Sequence, residues 1–414
     1  MFDLSDVPEK DLPMVGLLQA VLGIIDTEHY EYGELFNEIN RHTGGIGTSL
    51  ELYPDVTKVK EKEFRATFEI KGKALYGQIP FAIRMMKEIL TASKLDDEKR
   101  LKEILSMTKT RLQDRFLSAG HSAAALRAMS YKSPISKFKD TTNGIEYYQN
   151  IREMEEHFDE KKEEIISGLK ALSELLFRKG NVMISYTASR EGLAVLEEEI
   201  GSLKEVLYPE RMPQSRCILH CEKKNEGFKT SSKVQFAAKA GNFIDAGEEY
   251  NGALQILKVI MSYEYLWINI RVKGGAYGCM SNFNRIGEGY FVSYRDPNLG
   301  RTLEIYDGVP EYLENFTVSE RDMTKYIIGT ISNIDQPMTP ATKGDRSMNL
   351  YMNHVSAEMI RKEREEILTA NQDDIRALAG VARAVLANDQ ICVIGNEAKI
   401  EEEKELFMTV ENLF

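Results

Sequence analysis

The sequence has few of the residues that stabilise a secreted scaffold or span a membrane. It contains only four cysteines in 414 residues, too few for a disulfide framework, so we expect a reducing, cytoplasmic location. No run approaches the roughly 18 apolar residues that a membrane span needs, and the acidic N-terminus does not resemble a signal peptide. The sequence therefore predicts neither a secreted disulfide-rich protein nor a membrane protein.

Positive charge is also in short supply. Lysine and arginine number 53 against 65 aspartates and glutamates, which gives a formal net charge of −12. Such a surface repels a phosphate backbone overall, so we expect no nucleic-acid partner. Hydrophobic residues make up 43% of the chain, which is typical of a globular protein with packed cores. The length is sufficient for two or three domains.

Histidine is scarce, and its spacing does not suit a metal site. Cys217, His220 and Cys221 lie close in sequence, but alternate residues of a strand point to opposite faces, so the three cannot face one ion. No metal-ligand set forms around the other histidines. The sequence therefore predicts no metal site on this chain. The six histidines are His29, His42, His121, His157, His220 and His354.

The most informative stretch is RVKGGAYG at Arg271–Gly278, between a helical pattern and a strand pattern. A stretch of similar form, RHTGGIG, occupies residues 41–47. Each is followed by two predicted strands, a run of helices, a short apolar strand and an acidic helix. The shared Arg-x-x-Gly-Gly favours an internal duplication, although any α+β domain of this size could show the same order of elements.

The duplication predicts two related α+β domains, at residues 1–207 and 214–414. Residues 208–213 form the predicted linker, because two prolines bracket charged residues there and neither neighbouring periodicity continues through them. In the second domain a strand at 233–240 precedes the first helix. The corresponding strand of the first domain is missing or reduced to residues 1–4, so we expect the chain to be part of a longer protein.

The Arg271–Gly278 stretch resembles the pitrilysin and insulinase metallopeptidases, and within them the presequence-protease-like branch. The resemblance implies an α+β fold of two homologous domains, each a mostly antiparallel sheet covered by helices on one face. Together the domains would form the C-terminal half of a clamshell enzyme that closes around a peptide. Other matching pieces are Leu266-Trp267, residues 293–298 (SYRDPN), residues 2–5, Leu12-Pro13, residues 43–45 and residues 120–122.

The resemblance also implies how the two halves of such an enzyme share the chemistry. The N-terminal half holds zinc through an inverted His-x-x-Glu-His motif, and the C-terminal half supplies an arginine and a tyrosine. This sequence lacks the zinc motif. We therefore expect zinc to be bound by the N-terminal half, this chain to be inactive alone, and its partners to be that half and peptide substrates.

Arg271 and Tyr277 match the family's arginine and tyrosine. A tyrosine hydroxyl can stabilise the negative oxygen that forms when a peptide carbonyl is attacked, and a guanidinium offers a planar fork of donors. Gly274 and Gly275 would let the backbone approach the substrate, or they would serve only as turn formers. The alternative is that Arg271 is a surface charge and Tyr277 a core aromatic, as the corresponding Arg41 has no tyrosine nearby.

Three further expectations complete the sequence interpretation. Residues 293–298 are predicted to form a turn in which Arg295 makes an ion pair. A second function stays open, in which the chain is a complete non-catalytic subunit that binds peptide or docks a separate catalytic partner. A third is a structural protein on the same fold with no active role.

Overall fold

The computed structural model describes residues 1–210 and 217–414. Within these ranges, helices and two β-sheets form an α+β fold, which confirms the fold class predicted from the sequence. Residues 211–213 of the predicted linker lie outside the described residues. The domain boundary placed at 208–213 stays a prediction.

The first sheet is antiparallel and has three strands in the order β1-β3-β2. The strands are β1 (Phe2–Asp3), β2 (Ile46–Pro54) and β3 (Phe64–Gly72). Phe2 also forms a single antiparallel bridge with Val182. The sequence pattern predicts a strand at Val182–Tyr186, which is wrong, because only its first residue pairs with the sheet.

The helices of the first half pack around this sheet and extend beyond it. The sequence pattern predicts a loop near residues 130–150, which is wrong: two helices begin there, one behind Ser133, whose side chain accepts a hydrogen bond from the Ser136 amide, with Pro134 in the first turn. The eight helices of residues 1–210 are α1 (Leu12–Val21), α2 (Tyr32–His42), α3 (Ile79–Thr91), α4 (Glu98–Ser130), α5 (Pro134–Asn143), α6 (Ile145–Glu156), α7 (Phe158–Leu176) and α8 (Arg190–Val206).

The second sheet is mixed and has six strands in the order β6-β7-β5-β8-β4-β9. Strand β4 runs parallel to β8 and β9, and the other pairs are antiparallel. A strand predicted at Ile218–Glu222 is wrong, since the first strand of this sheet begins only at Glu226. The strands are β4 (Glu226–Thr230), β5 (Phe236–Asn242), β6 (Gly278–Phe283), β7 (Glu288–Tyr294), β8 (Gln390–Asn396) and β9 (Thr409–Asn412).

The helices of the second half cover one face of this sheet. A single helix predicted over residues 343–368 is divided at His354, whose φ of 55° is not helical. No helix within the described ranges is long and apolar enough to cross a bilayer. The helices are α9 (Ala253–Tyr263), a π-helix (Trp267–Val272), α10 (Gly300–Asp307), α11 (Val309–Glu314), α12 (Glu320–Ile334), α13 (Pro340–Met352), α14 (Ala357–Thr369), α15 (Gln372–Ala377), α16 (Ala379–Ala387) and α17 (Glu397–Glu402).

The two halves share a local design at their glycine motifs. In each, a helix ends at the arginine or one residue beyond it, the second glycine takes a left-handed conformation, and the first strand of an antiparallel hairpin follows. The φ angles are 108° at Gly45 and 81° at Gly275, a region that glycine enters without the steric cost of a side chain. Strand β1 lies beside β3 as β5 lies beside β7, so the two sheets also agree in strand order.

Helix α4 joins the two halves. It runs for 33 residues from an Asp97 cap and leaves helical geometry at Ala119. It packs on β5, β7 and β8 of the second sheet. One continuous hydrophobic core therefore includes Phe116 and Ala124 from α4 together with Phe236 and other residues of the second sheet. A separate core lies on the opposite face of that sheet, under the helices of the second half.

A buried ion network lies at the same junction. The Arg127 guanidinium on α4 donates from Nε to Glu226 Oε2 at 2.5 Å and from Nη2 to Glu226 Oε1 at 2.9 Å. Its Nη1 donates to Asp140 Oδ2 on α5 at 2.5 Å. All three side chains are buried. Because each buried charge has a partner, the network fixes how α4, α5 and β4 meet, whereas removing one member would leave a charge uncompensated.

Removing the guanidinium should therefore strongly destabilise the protein. We expect Arg127→Ala to lower the free energy of unfolding by about 3–5 kcal/mol, because Glu226 and Asp140 would be left buried without their cation. Urea unfolding followed by circular dichroism measures the change. The matched control is Arg383→Ala, which breaks an exposed ion pair with Glu314 and should change stability little. Equal effects of the two substitutions would contradict the role assigned to the network.

Candidate functional site

The predicted site residues lie where the π-helix passes into the second sheet. Arg271 is in the last turn of the π-helix Trp267–Val272, a helix type that occurs mostly as short insertions and frequently at functional sites. Tyr277 directly precedes β6. Its backbone N–H donates to the carbonyl oxygens of Tyr294 at 3.0 Å and of Arg295 at 3.3 Å. The end of β7 therefore holds the backbone of Tyr277.

The two glycines between them are required by the turn itself. A Cβ on Gly274 would lie 2.5 Å from the carbonyl oxygen of Ile270, so a side chain there would clash with the preceding helix. Gly275 has the left-handed φ of 81°. The Gly274 carbonyl accepts a 2.7 Å hydrogen bond from the Asn298 side chain. These contacts account for both glycines as turn formers, and their contact with a substrate stays a prediction.

The Arg271 guanidinium lies between two aromatic rings. Its Cζ is 4.4 Å from the centroid of the Trp267 ring and 5.2 Å from that of Tyr277, distances at which a cation is attracted to the face of a ring. No ion-pair partner of Arg271 is found in the part of the chain that the structure describes. The corresponding Arg41 instead forms a 2.5 Å ion pair with Glu38. The two motifs thus share a backbone but differ in what their arginine can bind.

Tyr277 is an exposed residue. Its exposed fraction is 64%, so it is not the core aromatic that the alternative interpretation requires. Its ring meets that of Tyr294 edge to face at 5.8 Å. Tyr263, Trp267 and Val272 are also exposed, which makes this an unusually apolar and aromatic part of the surface. A phenol and a guanidinium are therefore presented together to whatever contacts this surface.

Residues 293–298 support the motif from below. Asp296 is fully buried and accepts hydrogen bonds from the Thr302 hydroxyl at 2.7 Å and the Asn298 backbone amide at 2.9 Å. Burial raises the pKa of its carboxyl group. The ion pair predicted for Arg295 is not found among the described residues; its guanidinium lies 5.5 Å from the centroid of the Tyr294 ring.

The sequence analysis assigns no role to Trp267 or Tyr294, which the structure places in contact with the predicted pair. Trp267 is four residues before Arg271, a spacing that brings side chains together on a helix and could have identified it. Tyr294 is distant in sequence and reaches Tyr277 only through the pairing of β6 with β7. No signal in a single sequence indicates that contact.

The candidate metal ligands are separated in the structure. Cys217, His220 and Cys221 lie in an irregular segment and not on a strand, and the His220 ring is 2.7 Å from the Glu9 carboxylate. Burial raises the pKa of the Cys217 thiol to about 11. Across residues 1–210 and 217–414, no group of three or more histidine, cysteine, aspartate or glutamate side chains is placed to hold a metal ion.

Two family profiles match the chain. The profile of a domain associated with subfamily C of the M16 peptidases matches residues 1–154, and the profile described as "PreP C-terminal domain" matches residues 225–397. The first match includes α4 and the first sheet. The second includes the π-helix, the glycine motif and both residues of the predicted pair.

Two curated relatives align with nearly the whole chain. Protein HypA of Clostridium perfringens is 39% identical over 412 residues, an alignment that covers 100% of this chain and 42% of the relative. Presequence protease 1, chloroplastic/mitochondrial, of Arabidopsis thaliana is 29% identical over 411 residues, covering 96% of this chain and 38% of the relative. The chain thus spans about two fifths of the length of these relatives.

A solved structure shows the same fold. The crystal structure titled "peptidase M16 inactive domain" from Pseudomonas fluorescens superposes with a TM-score of 0.57 at 14% identity, covering 92% of this chain and 87% of that one. Together with the two profiles and the similarity to presequence proteases, this agrees with the family that the Arg271–Gly278 motif indicates. The chain belongs to the presequence-protease branch of the pitrilysin and insulinase peptidases.

Proposed function

We propose that this chain is the C-terminal, non-zinc-binding half of a zinc-dependent endopeptidase that degrades peptides in a closed chamber. Its family and its share of the relatives' length support this proposal. The observation that carries it is the Arg271 guanidinium, which has no ion-pair partner among the described residues and is held between the rings of Trp267 and Tyr277 on an exposed surface. An arginine held in this way keeps its N–H groups available for a substrate.

The two side chains suit complementary tasks on a peptide. The exposed Tyr277 hydroxyl can donate a hydrogen bond to the carbonyl oxygen on which negative charge develops, and such donors are worth most for the charged form. The Arg271 fork can bind a neighbouring carbonyl or a carboxylate of the substrate. Gly274 and Gly275 add no side chain between them, so a peptide can approach the backbone here.

The described residues offer no ligand set for zinc. The proposal therefore assigns zinc in the complete enzyme to the N-terminal half, and peptide binding and transition-state stabilisation to this chain. The partners proposed are that half and peptide substrates. A cytoplasmic location is also proposed, and the four free cysteines are compatible with it. If the zinc-binding half is instead a separate protein, the roles of Arg271 and Tyr277 are the same.

Peptide binding by this chain alone can be measured directly. The sequence contains one tryptophan, so the emission of Trp267 reports on this site without background. We expect a saturable change in that emission as an unstructured peptide is added. With a fluorescently labelled peptide, anisotropy should show weaker binding by about 5–30-fold for Arg271→Ala, the equivalent of one charged hydrogen bond. The matched control is Arg41→Ala, at the corresponding position of the first motif. Equal weakening by both substitutions would count against the proposal.

The role of the phenol is tested in the complete enzyme. With the zinc-binding half present, Tyr277→Phe should lower kcat for peptide cleavage by about 10²–10³-fold, because the oxyanion loses one donor. KM should change little, since the donor acts mainly in the transition state. Tyr263→Phe, at another exposed tyrosine of this surface, is the control. An unchanged kcat would remove Tyr277 from the mechanism.

A further inference from the structure

Tyr294 contacts Tyr277 through both its backbone and its ring. Its carbonyl oxygen accepts the Tyr277 N–H at 3.0 Å. The two rings meet edge to face, with centroids 5.8 Å apart at 71°, a favoured geometry for aromatic pairs. Among the aromatic pairs of the described residues, this is the one that involves Tyr277. The orientation of the exposed phenol thus depends directly on Tyr294.

Tyr294 also reaches across to the first half of the chain. Its hydroxyl donates to the carbonyl oxygen of Ser118, on α4, at 3.2 Å. Its ring contacts His121, also on α4, edge to face at 4.9 Å, and Phe236 of β5 at 5.6 Å. Tyr294 therefore lies between α4 and the exposed Tyr277 and touches both.

The contact is made at the break in α4. At Ala119 the backbone has φ −131° and ψ 34°, and carbonyl groups beside such a break need partners other than the helical ones. The Tyr294 hydroxyl supplies one. The next residue, Gly120, lets α4 approach β5, because a Cβ there would clash with the Phe236 ring. The break and the glycine together place α4 against the ring of Tyr294.

The His121 ring completes this packing in its neutral form. Its Nδ1 is buried without a hydrogen-bond partner among the described residues, and burial lowers the pKa of the imidazole. The neutral ring can pack against Tyr294 without bringing a buried charge to this junction.

We infer that Tyr294 is a positioning residue, which fixes the Tyr277 phenol and makes its orientation depend on how α4 docks at its break. The inference rests on the proposed function only for its catalytic consequence. The structural part concerns this chain alone. It assigns the first half of the chain a part in the site, although Arg271 and Tyr277 both belong to the second half.

The test uses 3-fluorotyrosine placed at position 277 of this chain and ¹⁹F NMR of that single label. Tyr294→Leu removes the ring and the hydroxyl. We expect the resonance to move toward the shift of free fluorotyrosine and to sharpen, because the label loses its neighbouring ring. The matched control is Tyr290→Leu, on the same strand and also half-buried. It should leave the resonance in place.

Two further variants keep the test decisive if Tyr294→Leu does not fold. Tyr294→Phe keeps the ring and loses only the bond to the Ser118 carbonyl, so the resonance should move in the same direction by less. Gly120→Ala pushes α4 away from Phe236 without touching Tyr277 and should also move it. A resonance that stays in place in all folded variants of Tyr294 and Gly120, or that moves equally in Tyr290→Leu, would overturn the inference.

The catalytic consequence is measured separately, with the zinc-binding half present. Tyr294→Leu should lower kcat by about 10–100-fold, the usual effect of misplacing a reacting group by about 1 Å, with KM within about twofold and Tyr290→Leu near wild type. If the complete enzyme does not cleave peptides, the proposed function fails while the NMR result still decides the positioning role. If it cleaves and the resonance does not respond to Tyr294, the positioning role alone fails.

Discussion

The structure depends on the packing of one long helix across two sheets. Helix α4 begins in the first half of the chain and ends against the second sheet, where Arg127 forms a buried ion pair with Glu226. Buried ion pairs cost desolvation, so they stabilise a structure less than they specify its geometry. Here the specified geometry is the contact between the two halves. Because α4 and the second sheet contribute to one core, the halves cannot shift relative to each other without opening it.

This constraint continues to the exposed surface. The same face of β5 and β7 that packs on α4 includes Phe236 and Tyr294, and Tyr294 contacts Tyr277 at the rim of the sheet. Arg271 approaches from the other side, on a π-helix, and lies between Trp267 and Tyr277. A rigid core thus positions an aromatic row, which in turn holds a cation that has no counter-ion among the described residues. Sites that bind charged transition states need this kind of support.

The sequence predicts the local features of the site but not the contacts that support it. Arg271, Tyr277 and the glycines are adjacent in sequence, and the positive φ of Gly275 is what a glycine at a helix-to-strand turn indicates. Tyr294 could not be assigned, because β6 and β7 must pair before it meets Tyr277. The break at Ala119 has a glycine beside it but no proline, so the pattern suggests two helices where the structure has one bent helix. The strand expected at Val182–Tyr186 fails because its apolar pattern is matched by a single bridge to Phe2.

The central claim is that Arg271 and Tyr277 act on the same peptide from one surface. The most direct measurement is a structure of the complete protein with a peptide bound and cleavage blocked. The account predicts the Tyr277 hydroxyl about 2.7–3.1 Å from a backbone carbonyl oxygen of that peptide, with the Arg271 guanidinium bound to the same chain. A bound peptide that passes more than about 6 Å from both groups, too far even for one bridging water, would contradict it.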